Sequence, residues 1–243
     1  MEHKTQIFAH RGASGERPEN TLCAFQRALE LQVDGVELDV QASADGKLVV
    51  VHDEMLGRTN NGNGYVFEKT LPELKQLDAG SWFGSQFAGE GIPTLAETLD
   101  LLKGHPLRIN LELKTLYVPY PGLVEAVLKL VKENGLDEQV VLSSFNHHSL
   151  LQVRQLAPHL ETAALFWENV IAPWDYVKNH GFTSMHALFR NVDQAFYEAC
   201  AEREIPLRAW TVNEEPDASR LASLGVNALI TDHPAKMKAL IQD

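Results

Sequence analysis

Short apolar runs alternate along the chain with segments in which apolar residues recur every three or four positions. Short apolar runs are typical of buried strands, and the three-to-four spacing is typical of amphipathic helices. In Thr21–Gln32, for example, Leu22, Phe25 and Leu29 fall on one helical face. The alternation predicts βαβ units and therefore a largely parallel sheet.

The predicted elements form eight strand–helix units with one additional strand. We predict strands at Ile7–His10, Gly35–Val40, Leu48–His52, Arg108–Lys114, Gln139–Ser144, Glu161–Phe166, Thr183–Leu188, Leu207–Val212 and Asn227–Thr231. We predict the paired helices at Thr21–Gln32, Thr94–Gly104, Gly122–Asn134, Ser149–Leu156, Trp174–His180, Val192–Arg203, Asp217–Leu224 and Ala235–Ile241. Eight units in this length indicate an α/β fold of the closed (β/α)8 TIM-barrel type. The alternative is an open doubly wound sheet, which is weakened because no glycine-rich dinucleotide turn follows the first strand.

The run Leu48–His52 follows the second strand too closely for a parallel crossover, so it predicts the second arm of an antiparallel hairpin. A two-residue turn would place Val40 opposite Val49, and it would place Glu37 opposite His52.

Residues 54–93 then form an irregular stretch rich in Gly and Asn, with a short helical piece near Leu71–Leu77. Its aromatic residues favour an ordered subdomain over a disordered loop. We therefore expect one barrel domain over residues 1–243, with a small inserted subdomain at about 54–93 after strand 2.

The composition argues against several classes of protein for this chain. The chain has 243 residues, 44% hydrophobic, and its 21 basic and 33 acidic residues give a net charge of −12. This charge argues against a nucleic acid partner, because phosphate backbones require clustered Lys and Arg. Two cysteines, Cys23 and Cys200, make no disulfide framework. A polar N-terminus and the lack of any long apolar run predict a cytoplasmic protein with no membrane span, and they leave the oligomeric state open.

Polar side chains collect where the predicted strands end, which is where a barrel of this type carries its reactive groups. Glu37 and Asp39 share one face of their strand, and Glu112 lies near the end of a neighbouring strand. Three carboxylates that face one small volume repel each other unless a cation lies between them. All-oxygen ligands suit one hard divalent ion, Mg²⁺ or Ca²⁺. The alternative, in which each carboxylate pairs with Lys or Arg, explains one acidic strand end better than three.

Two histidines flank these carboxylates in the predicted barrel. His10 ends the first strand and His52 ends the hairpin arm, and imidazole suits general acid and base roles near neutral pH. Arg11 and Lys114 lie close by. With a divalent ion, three carboxylates and two basic side chains, the site carries about one positive charge, which suits a phosphodiester monoanion and phosphoryl transfer.

Motifs spread in order over nearly the whole chain resemble the glycerophosphodiester phosphodiesterase family. These motifs are His10-Arg11-Gly12, Pro18–Thr21, Gly35–Val40, Val51-His52-Asp53, Leu56–Thr59, Leu77–Phe83, Ile92–Leu95, Asn110–Lys114, Ser143–Phe145, Ala209–Asn213 and Thr231-Asp232.

The resemblance implies hydrolysis of glycerophosphodiesters, such as glycerophosphocholine or glycerophosphoethanolamine, to sn-glycerol 3-phosphate and an alcohol. It implies that His10 and His52 are the general acid and base. It also implies that Arg11 and Lys114 hold the phosphate, and that the metal ligands are the three carboxylates Glu37, Asp39 and Glu112. Attack by the substrate's own hydroxyl and attack by water both remain open.

Other residues near the predicted mouth carry smaller expectations. Phe145 and Trp210 are expected to wall the glycerol pocket, with packing at the rim as the alternative. Asn20 is expected to cap the first helix rather than orient a catalytic group. His147 is expected at the surface. His186 is expected in a core or loop position, with a position facing the barrel mouth as the alternative.

Two rival functions remain. A barrel isomerase or lyase would use Lys114 as its base and would give no role to the histidine pair. A non-enzymatic member would bind glycerophosphodiesters or a metal, and it would lack a catalytic histidine or a ligand, none of which is missing here.

Overall fold

The computed structural model describes residues 4–241, and it contains the (β/α)8 barrel that the sequence predicts. The strands are β1 Gln6–His10, β2 Gly35–Ala42, β3 Leu48–Val50, β4 Arg108–Leu113, β5 Val140–Ser144, β6 Glu161–Phe166, β7 Ser184–Leu188, β8 Leu207–Trp210 and β9 Ala228–Thr231. The helices are α1 Leu22–Glu30, α2 Leu71–Leu74, α3 Leu95–Leu102, α4 Leu123–Asn134, α5 His147–Leu156, α6 Pro173–Asn179, α7 Gln194–Ala201, α8 Glu215–Leu224 and α9 Pro234–Ile241.

The sheet closes on itself because β1 pairs in parallel with both β2 and β9. The remaining parallel strands follow in chain order from β4 to β9, and β3 lies outside the ring as an antiparallel neighbour of β2. Closure brings the carboxyl ends of eight parallel strands to one mouth. The open doubly wound alternative is therefore wrong.

The predicted register of the hairpin is wrong by one residue. Val40 pairs with Val50 rather than with Val49. The loop has three residues, because Ser43 N donates to Lys47 O at 2.9 Å and Gly46 takes the left-handed conformation with φ +71°. Such a three-residue loop shifts the pairing by one position relative to a two-residue turn. His52 consequently follows the end of β3 rather than opposing Glu37 inside it.

The stretch 54–93 is ordered around a small apolar cluster of its own. Leu56, Val66 and Leu74 pack together with Val49 and Val51 of the hairpin arm. This cluster gives the irregular segment a fixed position at the mouth of the barrel.

The opposite end of the barrel interior is closed by an ion network from three alternate strands. Glu161 of β6 accepts a hydrogen bond from Arg208 Nη1 of β8 at 2.7 Å, and it also pairs with Arg108 of β4. Burial alone would raise the pKa of Glu161, but the charges of Arg208 and Arg108 lower it to about 2. The Arg208 guanidinium also stacks over the Phe8 ring at 5.5 Å from its centroid.

Among residues 4–241, no helix combines the length and the apolar character needed to cross a bilayer.

A substitution at Gly35 tests how tightly this interior is packed. A Cβ there would lie 2.6 Å from Cε1 of the buried Phe8 ring, so Gly35→Ala is expected to cost about 1–3 kcal/mol of unfolding free energy by overpacking. Gly91→Ala is the matched control, because a Cβ at Gly91 meets nothing within 4 Å. Urea unfolding of both variants measures the difference. Equal midpoints for the two variants would contradict the packing account.

Candidate active site

The mouth of the barrel is built around three acidic side chains on two adjacent strands. Glu37 and Asp39 lie on β2, and Glu112 of β4 pairs in register with Asp39. Each of the three carboxylates offers an oxygen within 4.8 Å of those of the other two. Glu37 is 3% exposed and Asp39 is 1% exposed. The structure thus brings the predicted carboxylates together, with Glu37 and Asp39 almost closed to solvent and Glu112 partly exposed.

Burial and mutual repulsion make this cluster electrostatically strained. Burial, together with the charges of Asp39 and Glu112, raises the pKa of Glu37 well above its ordinary value. Burial would also raise the pKa of Asp39, but the charges of His52, Lys114 and Arg11 outweigh it and hold that pKa below its usual range. Part of the negative charge is therefore balanced by the protein itself, and the anionic form of Glu37 is disfavoured.

The donor set fits a hard divalent cation. Asp39 Oδ1 is buried and has no hydrogen-bond partner among residues 4–241, whereas Asp39 Oδ2 accepts from Asn20 Nδ2 at 2.8 Å. A cation bound by the three carboxylates would satisfy the free oxygen and remove the repulsion. Carboxylate oxygens are the ligands that Mg²⁺ and Ca²⁺ prefer.

His10 lies beside this cluster, held by a carboxylate from the last strand. His10 Nδ1 donates to Asp232 Oδ1 at 2.6 Å, and Asp232 follows directly after β9. Asp232 in turn accepts from Ser14 at 3.0 Å and from Asn213 at 2.6 Å. With Nδ1 so engaged, Nε2 is the ring nitrogen nearer Glu37, at 3.8 Å from Oε2. A histidine oriented in this way has one nitrogen left for proton transfer.

His52 is held in the same manner from the hairpin side. His52 Nδ1 donates to Asp53 Oδ1 at 2.6 Å. Asp53 accepts from Arg58 Nε at 2.5 Å, and Arg58 continues to Glu19 through contacts of 2.7 and 2.9 Å. The two histidines thus reach one mouth from the end of β1 and from the segment after β3, each with a carboxylate on Nδ1.

The basic side chains complete the charge balance of the mouth. Lys114 Nζ lies 3.0 Å from Glu112 Oε1 and 3.6 Å from Asp39 Oδ1. Arg11 Nη1 donates to Glu19 at 2.7 Å, and Arg11 Nε lies 3.5 Å from Asp39 Oδ2. For both basic groups burial opposes the charge, but the surrounding carboxylates raise the pKa, so both stay protonated. They are positioned to meet an anionic substrate.

Two adjoining cavities open from this mouth. The first, of about 540 Å³, is lined by His10, Arg11, Glu37, His52 and Glu112 together with the predicted pocket residues Phe145 and Trp210. Phe145 and Trp210 meet edge to face at 5.4 Å between ring centroids. The second, of about 720 Å³, shares His52, Glu112, Phe145 and Trp167 with the first and adds further apolar and aromatic residues, including Tyr117. The cavities together have room for a substrate with a group on each side of its reacting centre.

Two of the smaller expectations are wrong. Thr21, not Asn20, is the N-cap of α1, and the Asn20 amide donates to Asp39 instead. The backbone of Asn20 is left-handed, with φ +57°, so this residue lies outside the helix start and does not cap it. His147 is partly buried rather than on the surface, because its Nε2 bonds the carbonyl of Leu165 at 3.1 Å and its ring packs on Phe166. His186 lies in the core, fully buried within β7, as expected.

Sequence reasoning gave no role to Asp53, and it left Asp232 open between a residue that supports a catalytic group and a member of a buried ion pair. Asp53 directly follows His52, and this adjacency was a usable signal. Asp232 lies 222 positions from His10 in the chain, so its role required the closed barrel. Arg58 and Glu19 were also missed as positioning groups, because their contact spans 39 positions.

The fold and the geometry of the mouth define a barrel hydrolase suited to phosphodiesters. Residues 10–236 match the glycerophosphoryl diester phosphodiesterase family, and the chain belongs to it. It is 44% identical to a glycerophosphodiester phosphodiesterase of Caldanaerobacter subterraneus subsp. tengcongensis, with 98% of each chain covered. It is 38% identical to a glycerophosphodiester phosphodiesterase of Bacillus altitudinis, with 95% of each covered.

Solved structures agree with this membership. A phosphodiesterase of Oleispira antarctica, in complex with the product sn-glycerol-3-phosphate, superposes with a TM-score of 0.92 at 31% identity, over 99% of this chain and 98% of that one. A glycerophosphodiester phosphodiesterase of Parabacteroides distasonis gives a TM-score of 0.85 at 26% identity, over 100% and 98% of the two chains. The chain is therefore an enzyme with glycerophosphodiester phosphodiesterase activity.

Cation binding at the three carboxylates has a readout that needs no substrate. We expect millimolar Ca²⁺ or Mg²⁺ to raise the Tm of the unmodified protein, because an ion that binds only the folded state stabilises it by mass action. Glu112→Gln is expected to weaken this rise, because it removes one of the charged ligands. Glu133→Gln, at an exposed glutamate far from the cluster in sequence, is the control. A rise of the same size in all three proteins would mean that the ion binds elsewhere.

Proposed function

We propose that the enzyme hydrolyses glycerophosphodiesters such as glycerophosphocholine and glycerophosphoethanolamine to sn-glycerol 3-phosphate and an alcohol. His10 and His52 act as the general acid and base beside one divalent cation, Mg²⁺ or Ca²⁺, held by Glu37, Asp39 and Glu112. The single observation that carries the proposal is the pair of carboxylate-bound histidines on either flank of the acidic cluster.

The bound cation would draw electron density from a phosphoryl oxygen and so favour attack at phosphorus. Arg11 and Lys114 hold the non-bridging oxygens of the phosphodiester, since both basic groups lie in the mouth with their charge maintained. Fixed positive groups at these oxygens stabilise the charge that develops in the transition state.

The histidines supply the proton transfers. One imidazole takes the proton of the attacking hydroxyl, and the other gives a proton to the departing alcohol oxygen. Asp232 and Asp53 hold the imidazole rings through Nδ1, which leaves Nε2 of each ring for the transfer. The same pair serves attack by water and attack by a hydroxyl of the substrate, because both routes need a base at entry and an acid at departure.

The two cavities suggest how the substrate divides across the mouth. We place the glycerol group in the cavity walled by Phe145 and Trp210, because the apolar faces of the rings suit the carbon chain of a polyol. We place the departing alcohol in the larger cavity. The carboxylates of Glu54 and Glu168 line that cavity along with Tyr117 and Trp167, a setting that suits a choline or ethanolamine cation.

The domain organisation and the cellular location are two further proposals. We propose that residues 1–243 form one domain with an insertion at about 54–93, which is supported by the packing of Leu56 on the hairpin arm and by the Arg58–Asp53 contact. We propose a cytoplasmic location, which is supported by Cys23 and Cys200 as free thiols.

Release of glycerol 3-phosphate tests the reaction and its cation requirement together. We expect glycerophosphocholine to give glycerol 3-phosphate and choline in the presence of Mg²⁺ or Ca²⁺, and we expect EDTA to abolish release until the ion is restored. A coupled glycerol-3-phosphate dehydrogenase assay measures the product. Full turnover after EDTA and dialysis would refute the cation role, and no turnover with either ion would refute the proposed substrate class.

The acid–base assignment predicts a large loss at either histidine. We expect His10→Ala and His52→Ala each to lower kcat by at least about 10²-fold while the circular dichroism spectrum and Tm stay close to those of the parent. Asp232→Asn should also lower kcat, because an amide no longer fixes the His10 ring as a charged acceptor does. The matched control is Asp137→Asn, which alters an exposed Asp–His pair with His159 at 2.9 Å. Normal turnover by either histidine variant would show the assignment to be wrong.

A further inference from the structure

The residues around the cavity walled by Phe145 and Trp210 include buried polar atoms that find no hydrogen-bond partner in the part of the chain that the structure describes. Asn110 Oδ1, His186 Nδ1 and Trp210 Nε1 are buried and have no hydrogen-bond partner among residues 4–241, and all three residues line this cavity. A buried polar group without a partner destabilises the protein, because it has lost its hydrogen bonds to water. Three such atoms around one cavity indicate that its occupant carries hydroxyl groups.

The contact between His186 and Arg208 fixes which ring nitrogen of His186 carries the proton. Arg208 Nη1 lies 3.2 Å from His186 Nε2, and a guanidinium can only donate. His186 Nε2 must therefore be the acceptor. Burial and the charge of Arg208 lower the pKa of His186 well below its ordinary value, so the ring is neutral. The one remaining proton lies on Nδ1, which is consequently a buried donor without an acceptor.

The strand register places this donor below the aromatic pair. Leu188 of β7 pairs with Trp210 of β8, and His186 lies two residues earlier on the same face of β7. His186 is thus one inward-facing position deeper in the barrel than the level of Trp210. Arg11 and Lys114, which meet the phosphate in the proposed function, follow the carboxyl ends of β1 and β4 at the mouth. The donor lies at the end of the cavity that is remote from the phosphate.

We propose that His186 is a specificity-determining residue that donates from Nδ1 to the terminal C1 hydroxyl of the glycerol group, with Asn110 Oδ1 accepting the hydrogen of that hydroxyl. The inference rests on the proposed function, because it takes the phosphate to lie at the mouth. The C1 hydroxyl is the end of the glycerol chain that is farthest from the phosphate. A substrate without it leaves buried polar groups unpaired, and a site built to bond a hydroxyl rejects such an analogue.

Two substrates and two variants separate this role from a structural one. The substrates are glycerophosphocholine and its analogue without the C1 hydroxyl, propane-1,2-diol phosphocholine. His186→Asn keeps an amide donor near the position of Nδ1, whereas His186→Gln keeps an acceptor near the position of Nε2 for Arg208 and loses the Nδ1 donor. We expect the parent enzyme to prefer glycerophosphocholine by about tenfold or more in kcat/KM, as the loss of one buried hydrogen bond implies. We expect His186→Gln to lose this preference through a fall on glycerophosphocholine alone, and His186→Asn to keep it.

The outcomes distinguish this inference from the function on which it rests. If the parent enzyme hydrolysed neither substrate, the proposed function would be refuted. Calorimetric binding of glycerol 3-phosphate and of its C1-deoxy analogue then still tests His186 by the same preference. Equal kcat/KM for both substrates in the parent enzyme, or an equal fall on both in His186→Gln, would overturn the inference and leave His186 as a framework residue bonded to water.

A spectroscopic measurement covers the case in which His186→Gln does not fold. In the ¹⁵N-labelled parent protein, the Nδ1–H resonance of His186 is expected to shift on binding glycerol 3-phosphate and to stay in place with the deoxy analogue. The same shift with both ligands would overturn the assignment.

Discussion

Repulsion among three clustered carboxylates, two of them buried, is the constraint around which this molecule is arranged. Burial and the charges of Asp39 and Glu112 raise the pKa of Glu37 well above its ordinary value, whereas nearby positive charges hold the pKa of Asp39 below its usual range. Arg11 and Lys114 lie within 4 Å of the cluster and offset part of its negative charge. The three carboxylates also form a donor set for a divalent ion. The positive charge that stabilises the acidic cluster in the folded protein also favours binding of a phosphodiester anion. Folding and substrate binding therefore require the same charges.

The histidines show how a closed barrel gathers a site from distant parts of the chain. Asp232 comes from the last strand and meets His10 of the first because β9 pairs with β1. Asp53 instead lies next to His52 and is itself tied to Glu19 through Arg58, so the start of the 54–93 stretch is joined to the loop after β1. Each ring is therefore held by its own carboxylate, and Glu19 links the two sides because it accepts from both Arg58 and Arg11.

The sequence predicted the barrel because each strand and helix is locally consistent with the whole. Short apolar runs and apolar residues spaced every three or four positions place the elements to within a few residues, and the closed topology follows from their number and order. Glu37, Asp39 and Glu112 were predicted to lie together because alternation along a strand fixes which side chains share a face. The same local rules do not predict the hairpin register, because it depends on the left-handed conformation of Gly46. They also miss Asn20 and Asp232, whose partners are determined by long-range closure.

The ion network of Arg108, Glu161 and Arg208 closes the barrel interior on the side away from the mouth, where residues are ordinarily assigned to stability alone. Its Arg208 also touches His186 and so decides the tautomer presented to the cavity above. The two faces of the barrel are for this reason not independent. A redesign of this ion network for thermal stability would therefore also alter the selectivity of the cavity for a ligand that does not contact the network.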